Sequence, residues 1–154
     1  MPKIDIAAVS ARKGSGYPPP FDVPCAARTR RRLGDAGGLR DFGVNLMTLP
    51  AGSWSSQRHW HSHEDEFVYV LEGEVVLRSA AGEQRLGAGM CAGFPAGSQD
   101  GHQLINRSER PALYLEISNR NAEDAVYYSD PEVDLIWNPP HARGQITHRD
   151  GTPY

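Results

Sequence analysis

The chain has 154 residues, 39% of them hydrophobic and 23% charged, with 16 Lys and Arg against 19 Asp and Glu for a formal net charge of -3. That length suits one domain of ordinary size with a single core. The charge balance argues against a nucleic-acid binder, and no apolar run approaches the ~20 residues needed to cross a bilayer.

Residues 1–27 carry Gly14, Gly16 and the run Pro18-Pro19-Pro20 with little apolar periodicity, which predicts an extended N-terminal arm lying on the body. The opening stretch has no signal-peptide core, so the cytoplasm is the expected compartment. Cys25 and Cys91 lie far apart without CxxC spacing and are expected to be reduced, buried thiols. Arg28, Arg30, Arg31 and Arg32 crowd one short stretch. A solvated strand edge, where charge discourages sheet-to-sheet pairing, accounts for them; an anion or partner site is the alternative.

Residues 28–118 read as short strands bounded by turn residues, and the 16 Gly and 12 Pro fit that pattern. Strands are predicted at Arg28–Leu33, Phe42–Leu49, Arg58–His61, Glu66–Leu71, Glu74–Arg78, Gln84–Leu86, Cys91–Phe94, His102–Asn106 and Ala112–Ser118. The turn signals are Gly34–Gly38, Pro50-Ala51-Gly52, Glu72-Gly73, Ala81-Gly82 and Pro95-Ala96-Gly97, and no stretch sustains the period of an amphipathic helix. An all-β, antiparallel sandwich or barrel follows. Phe67-Val68-Tyr69-Val70-Leu71 is apolar on both strand faces, so one face meets the core and the other a second sheet, a lumen or a subunit. Residues 119–154 form an irregular C-terminal extension packed on the barrel, with late strands at Val126–Tyr128 and Asp134–Trp137. His141 and His148 are expected to be exposed there.

The chemistry is concentrated in His59-Trp60-His61-Ser62-His63-Glu64-Asp65-Glu66, which holds three of the chain's six histidines. Side chains at i and i+2 leave a strand on the same face, so His59 and His61 point into one cavity, as a metal requires; His61 with His63 obeys the same rule. Glu66 opens the next strand, with Val68 and Val70 on its face and Phe67, Tyr69 and Leu71 on the other. His102, Leu104 and Asn106 share a face of a later strand, so His102 can supply a ligand from across the barrel. Trp60, between two ligands, is expected to face away from them and pack between sheets.

The spacing His59-x-His61-x4-Glu66-x6-Gly73 resembles the first motif of the cupin superfamily, and Gly89-x5-Pro95-x-Gly97…His102-x3-Asn106 resembles its second. The second departs in one respect: four residues, Ser98–Gly101, separate Gly97 from His102 where two are usual. The resemblance implies a single-domain, jelly-roll-like β-barrel whose metal ligands are His59, His61, Glu66 and His102. It favours His59 over His63, because only that choice sets Glu66 at the right distance from Gly73. His63 and Glu64 are then candidate proton carriers. Gly73, Gly89, Pro95 and Gly97 become turn residues, and Asn106 an anchor for the loop or a ligand. The surrounding sequence, with the ending His148–Tyr154, is similar to a bacterial branch of single-domain cupins, some of them labelled sugar-phosphate-isomerase-like by analogy.

Three imidazoles and a carboxylate suit one divalent transition metal per chain, with Fe, Mn, Zn, Ni and Cu all open. The leading expectation is Lewis-acid chemistry of the isomerase kind on a sugar-like or hydroxy-acid small molecule. The alternatives are a non-haem iron dioxygenase and a non-catalytic, metal-dependent binding or sensing module. An apolar outer strand face and an open edge favour a homodimer.

Overall fold

A computed structural model of the chain describes residues 3–139 and 145–154. The chain is almost entirely β. Its strands are β1 (Ala11–Lys13), β2 (Thr29–Arg32), β3 (Phe42–Leu49), β4 (His59–His61), β5 (Glu66–Glu72), β6 (Glu74–Ser79), β7 (Gly82–Gly87) and β8 (Cys91–Phe94). They continue with β9 (Gln103–Ile105), β10 (Ala112–Asn119), β11 (Val126–Tyr128), β12 (Ile136–Trp137) and β13 (Ile146–Thr147). The Gly-rich stretch after β2, predicted as a turn, winds into one helical turn, α1 (Leu33–Ala36), closed by the Gly37 amide donating to the Leu33 carbonyl. The N-terminal arm holds a strand that its composition does not announce: β1 pairs antiparallel with β2.

One wall is a six-stranded sheet in the order β1-β2-β3-β10-β5-β8. The facing wall consists of a three-stranded sheet, β7-β6-β9, and a four-stranded one, β13-β12-β11-β4. These two meet where His59 and His102 exchange backbone hydrogen bonds of 3.1 and 2.8 Å, so the seam between them runs through two candidate ligands. Both walls turn alternate residues inward, and Met47, Leu49, Val68, Val70, Ala112 and Tyr114 of the first pack on Val75, Leu77, Leu86 and Leu104 of the second. This is the antiparallel, two-walled arrangement that the strand pattern predicts and the jelly roll that the motif resemblance implies.

A smaller core gathers Val126, Tyr128, Val133 and Leu135, with Tyr17 and Phe21 of the arm packed against it. The Gln57 side-chain amide donates to the Phe21 carbonyl at 2.7 Å, and the Trp54 amide to the Pro24 carbonyl at 2.9 Å, which fastens the arm to the barrel. Cys25 is buried as expected, but Cys91 is exposed, because β8 is an edge strand and Cys91 pairs with outward-facing Tyr69. His148 is half-buried rather than exposed: its Nδ1 lies 2.9 Å from Asp134 and its ring stacks on Tyr154 at 3.8 Å. His141 lies outside the described residues. No helix among the described residues is long and apolar enough to cross a membrane.

Gly73, Gly89 and Gly97 all have positive φ. At Gly73 the requirement is double, because φ is 73° and an added Cβ would lie 2.8 Å from the Pro111 carbonyl oxygen. A Gly73→Ala chain is expected to lose about 1–3 kcal/mol of stability. Urea unfolding checks this; an unchanged midpoint contradicts it.

Candidate metal centre

Strand β4 carries His59 and His61 on one face, and β5 begins with Glu66 beside them. The ligand atoms of these three lie within 4.8 Å of one another. His102, immediately before β9 of the facing wall, completes the group, with its Nε2 3.0 Å from Glu66 Oε2. The same oxygen stands 3.6 Å from His61 Nε2 and 3.8 Å from His59 Nε2. Three imidazole nitrogens from two separate segments therefore converge on one carboxylate oxygen. Strand alternation accounts for the aim: Val68 and Val70, which share the Glu66 face, are buried, whereas Phe67, Tyr69 and Leu71 are 38–39% exposed.

Hydrogen bonds behind the group fix how each ring presents itself. His59 Nδ1 lies 2.9 Å from the Gln57 carbonyl, and His61 Nδ1 lies 2.7 Å from Asp124 Oδ2. Carbonyl and carboxylate oxygens only accept, so both Nδ1 atoms carry the proton and both Nε2 lone pairs face Glu66. The His102 ring stacks on Phe94, with centroids 3.6 Å apart and planes within 3°. Its Nδ1 is buried without a described partner, so stacking and the backbone bridge to His59 hold it in place. The four residues before His102 fit for a local reason. Asp100 Oδ1 accepts from the Ala80 amide at 2.7 Å, and at Gly101 a Cβ would collide with the Ser129 side chain.

Asp124 is fully buried and serves more than His61. Its Oδ1 accepts from the His63 amide at 2.8 Å, the Glu64 amide at 3.2 Å and the Ser62 hydroxyl at 3.3 Å. One carboxylate from the C-terminal extension thus shapes the whole loop between the ligand strands. Sequence reasoning missed it: Asp124 sits in a polar acidic stretch 63 positions beyond its partner and carries no motif. Phe94 was legible only as the end of a predicted strand.

The other sequence candidates separate. Glu64 lines a cavity of 280 Å³ that opens beside the group and is also bounded by His61, Leu77, Ser79, Phe94, Ser98, Asp100 and His102. Its Oε1 accepts from the Asn121 amide at 2.9 Å. His63 is exposed, with Nδ1 2.8 Å from the Ser62 hydroxyl, and is not part of that lining. Trp60 stacks on its cross-strand neighbour Tyr127, with centroids 4.6 Å apart, at the cavity rim rather than between the two walls. Asn106 anchors structure: its amide donates at 2.7 Å to the carbonyls of both Leu49 and Arg110, while its oxygen accepts from Ser108. Pro95 opens the turn ending at Gly97, whose amide donates to the His61 carbonyl at 2.8 Å.

The electrostatics suit a cation. Burial, reinforced by the neighbouring His102 and His61, pulls the His59 pKa from 6.5 down to about 3, which keeps its nitrogen unprotonated. Burial alone would raise Glu66, but His102, His59 and His61 overcome it and bring its pKa from 4.5 to about 2. At His61 burial acts downward, and the Asp124 hydrogen bond with the Glu66 charge outweighs it, so that pKa is raised. The signs give a pH dependence for the metal-free chain. His59 and Glu66 have depressed folded-state values, so their stabilisation is complete above 6.5 and 4.5 respectively and falls away in acid. His61 acts oppositely and stabilises most below 6.5. The His61 gain is complete by pH 6.5, whereas the His59 loss runs from 6.5 down to about 3, so the loss prevails. The urea midpoint of chelator-treated protein is expected to fall from pH 7 to pH 4, and His59→Gln should flatten the part of that fall nearest pH 6; an equally steep fall in the variant contradicts it.

Comparison with known proteins identifies the family. Residues 45–118 match the Cupin domain family. The crystal structure of a sugar phosphate isomerase of the cupin superfamily from Silicibacter pomeroyi superposes with a TM-score of 0.93 at 42% identity, covering 99% of this chain and 96% of that one. The chain belongs to the cupin superfamily. A putative sugar phosphate isomerase from Acidithiobacillus ferrooxidans aligns with this cupin at TM-score 0.73 and 28% identity over 84% of this chain and 81% of that one. A polyketide cyclase from Streptomyces resistomycificus shares the fold alone, with TM-score 0.60 at 17% identity over 77% of this chain and 79% of its own. No protein of curated function matches. The cupin's three imidazoles and one carboxylate, with two rings already oriented by acceptors behind them, form a donor set that fits a borderline divalent cation.

Proposed function

We propose that this cupin is a metal-dependent isomerase in which His59, His61, Glu66 and His102 hold one divalent cation against a sugar-like or hydroxy-acid substrate. The observation that carries the reading is the convergence of three imidazole nitrogens on Glu66 Oε2, within 3.0–3.8 Å, beside an open cavity. The Silicibacter pomeroyi relative, named as a sugar phosphate isomerase, supports the reaction class. The cation supplies a Lewis acid for a carbonyl and its neighbouring oxygen.

The chain's own residues do the rest. In this reading Glu64, which lines the cavity, takes a proton from a substrate carbon and returns it to the neighbouring one. Ser79, Ser98 and Asp100 offer hydrogen bonds to hydroxyl groups, and Leu77 and Phe94 keep that side of the cavity dry. Among the described residues no Lys or Arg lines it, so this end of the substrate is uncharged.

Incubating the metal-loaded protein anaerobically with aldose and ketose panels in D2O tests the reading. Deuterium is expected at the substrate carbon next to the carbonyl, in wild type and not in Glu64→Gln. Oxygen consumption with iron would instead support the dioxygenase reading, which the His59, His61 and Glu66 grouping also allows. A ligand-dependent thermal shift without product would make it a binding module. We also propose a homodimer formed through the outer face of β5, where Phe67, Tyr69 and Leu71 are 38–39% exposed. Light scattering should give twice the chain mass for wild type and the monomer mass for Phe67→Asp.

A further inference from the structure

Strand β2 carries three arginines, Arg30, Arg31 and Arg32, that the metal centre leaves unexplained. Arg30 pairs with Met47 across the β2–β3 ladder and Arg32 with Asn45, so both point to the inner side of the sheet. In the neighbouring ladder Arg12 stands directly opposite Arg30. Directly opposed like charges in a strand pair are destabilising, and here a third lies two residues along the same face. The three guanidinium groups line a groove of 950 Å³, with Lys3 added at its rim.

The groove is built from ordered pieces. One wall is the N-terminal arm, in which the Asp5 carboxylate accepts the Ala7 amide at 3.1 Å and Arg31, on the opposite face of β2, reaches round to the Val9 carbonyl. The other wall is α1 with Gly37 and Leu39. Four cations line it against two acids, Asp5 and Asp35, in a chain whose net charge is -3. Asp35 is engaged by Arg120 and, at 3.5 Å, by Arg32. Glu116, whose charge acts on Arg30, accepts the Asn45 amide at 3.0 Å. Neither the Arg12 nor the Arg30 guanidinium group donates a hydrogen bond to any described residue.

We propose that this groove is a binding site for a phosphate-bearing small-molecule anion, gripped by the guanidinium groups of Arg12, Arg30 and Arg32. Guanidinium forks match phosphate oxygens in pairs, and a multiply charged anion relieves the repulsion that the strand register enforces. Burial, with the Arg32, Arg28 and Arg12 charges, lowers the Arg30 pKa against the pull of Glu116, in keeping with cations crowded ahead of their ligand. The site is independent of the metal reading, since none of its residues touches the His and Glu group.

Calorimetric titration of the metal-loaded protein with inorganic pyrophosphate tests it, with citrate and with sodium chloride at matched ionic strength run alongside. Saturable pyrophosphate binding is expected, weakened at least 10-fold in Arg30→Gln and in Arg12→Gln, and unchanged in Lys13→Gln, whose side chain leaves the opposite face of β1. Metal content should stay at the wild-type value in all three. Weaker citrate binding supports phosphate over carboxylate; equal or tighter citrate binding overturns the phosphate assignment. Non-saturable heats, the same response to chloride, or undiminished binding in a folded Arg12→Gln/Arg30→Gln protein overturn the site.

Discussion

Asp124→Asn is expected to leave the barrel folded while weakening its hold on a divalent metal by about 10–100-fold. The asparagine carbonyl can still accept the bonds that Asp124 Oδ1 takes from His63, Glu64 and Ser62. Its amide, however, is a donor and faces His61 Nδ1, where the carboxylate oxygen now stands at 2.7 Å. Two donors cannot share that contact, so His61 is pushed towards the tautomer with its proton on Nε2, the atom that has to face the cation. Asp124→Ala should be worse in a different way. It leaves two half-buried backbone donors without the carboxylate, each costing at most about 1–3 kcal/mol, and destabilises the protein as well as the site. Metal affinity by competition with a chelating dye, measured beside urea unfolding, separates the two variants. Wild-type affinity in Asp124→Asn contradicts the orienting role.

Glu66→Gln should act more strongly still, taking metal from about one ion per chain to nearly none. Glu66 Oε2 is the atom on which His59, His61 and His102 converge, and the substitution removes the only anionic oxygen among these four side chains. A neutral amide keeps the volume, so a loss of metal reports charge and ligation rather than packing. Elemental analysis of purified wild type and variant is the check, with circular dichroism to establish the fold. Turnover should disappear with the metal. A variant that retains metal would mean that the ion sits elsewhere.

Those expectations rest on features of unequal visibility in the amino-acid sequence. Alternation made His59 and His61 legible, because two residues on one strand need no information from elsewhere. It also sorted Val68 and Val70 from Phe67, Tyr69 and Leu71, and buried and exposed positions follow that division. Alternation made His102 a possible ligand, and motif resemblance joined it to His59 and His61; its approach depends on a backbone bridge to His59 across 43 positions, which local pattern does not encode. Asp124 and Phe94 were invisible as site residues because an acid in a polar stretch and an aromatic at a strand end have many ordinary uses.

The misjudged elements follow the same logic. Cys91 was expected inside because free cysteines commonly are, yet sheet order makes β8 an edge. Strand β1 escaped notice because Ala11-Arg12-Lys13 has no apolar alternation; its partner β2 holds it by backbone bonds alone. Trp60 was expected between the sheets, but it lines the cavity that His61 and His102 also line, and its place at the rim depends on Tyr127, supplied by a strand 67 positions later. Where a contact spans the chain, residue pattern names the participants at best and seldom the pairing.

The most direct test is anomalous diffraction from crystals grown with manganese or zinc. One peak per chain is predicted, about 2.0–2.3 Å from the Nε2 atoms of His59, His61 and His102 and from a Glu66 oxygen. A crystal that holds metal elsewhere, or leaves these four side chains around a water at saturating metal, contradicts the assignment.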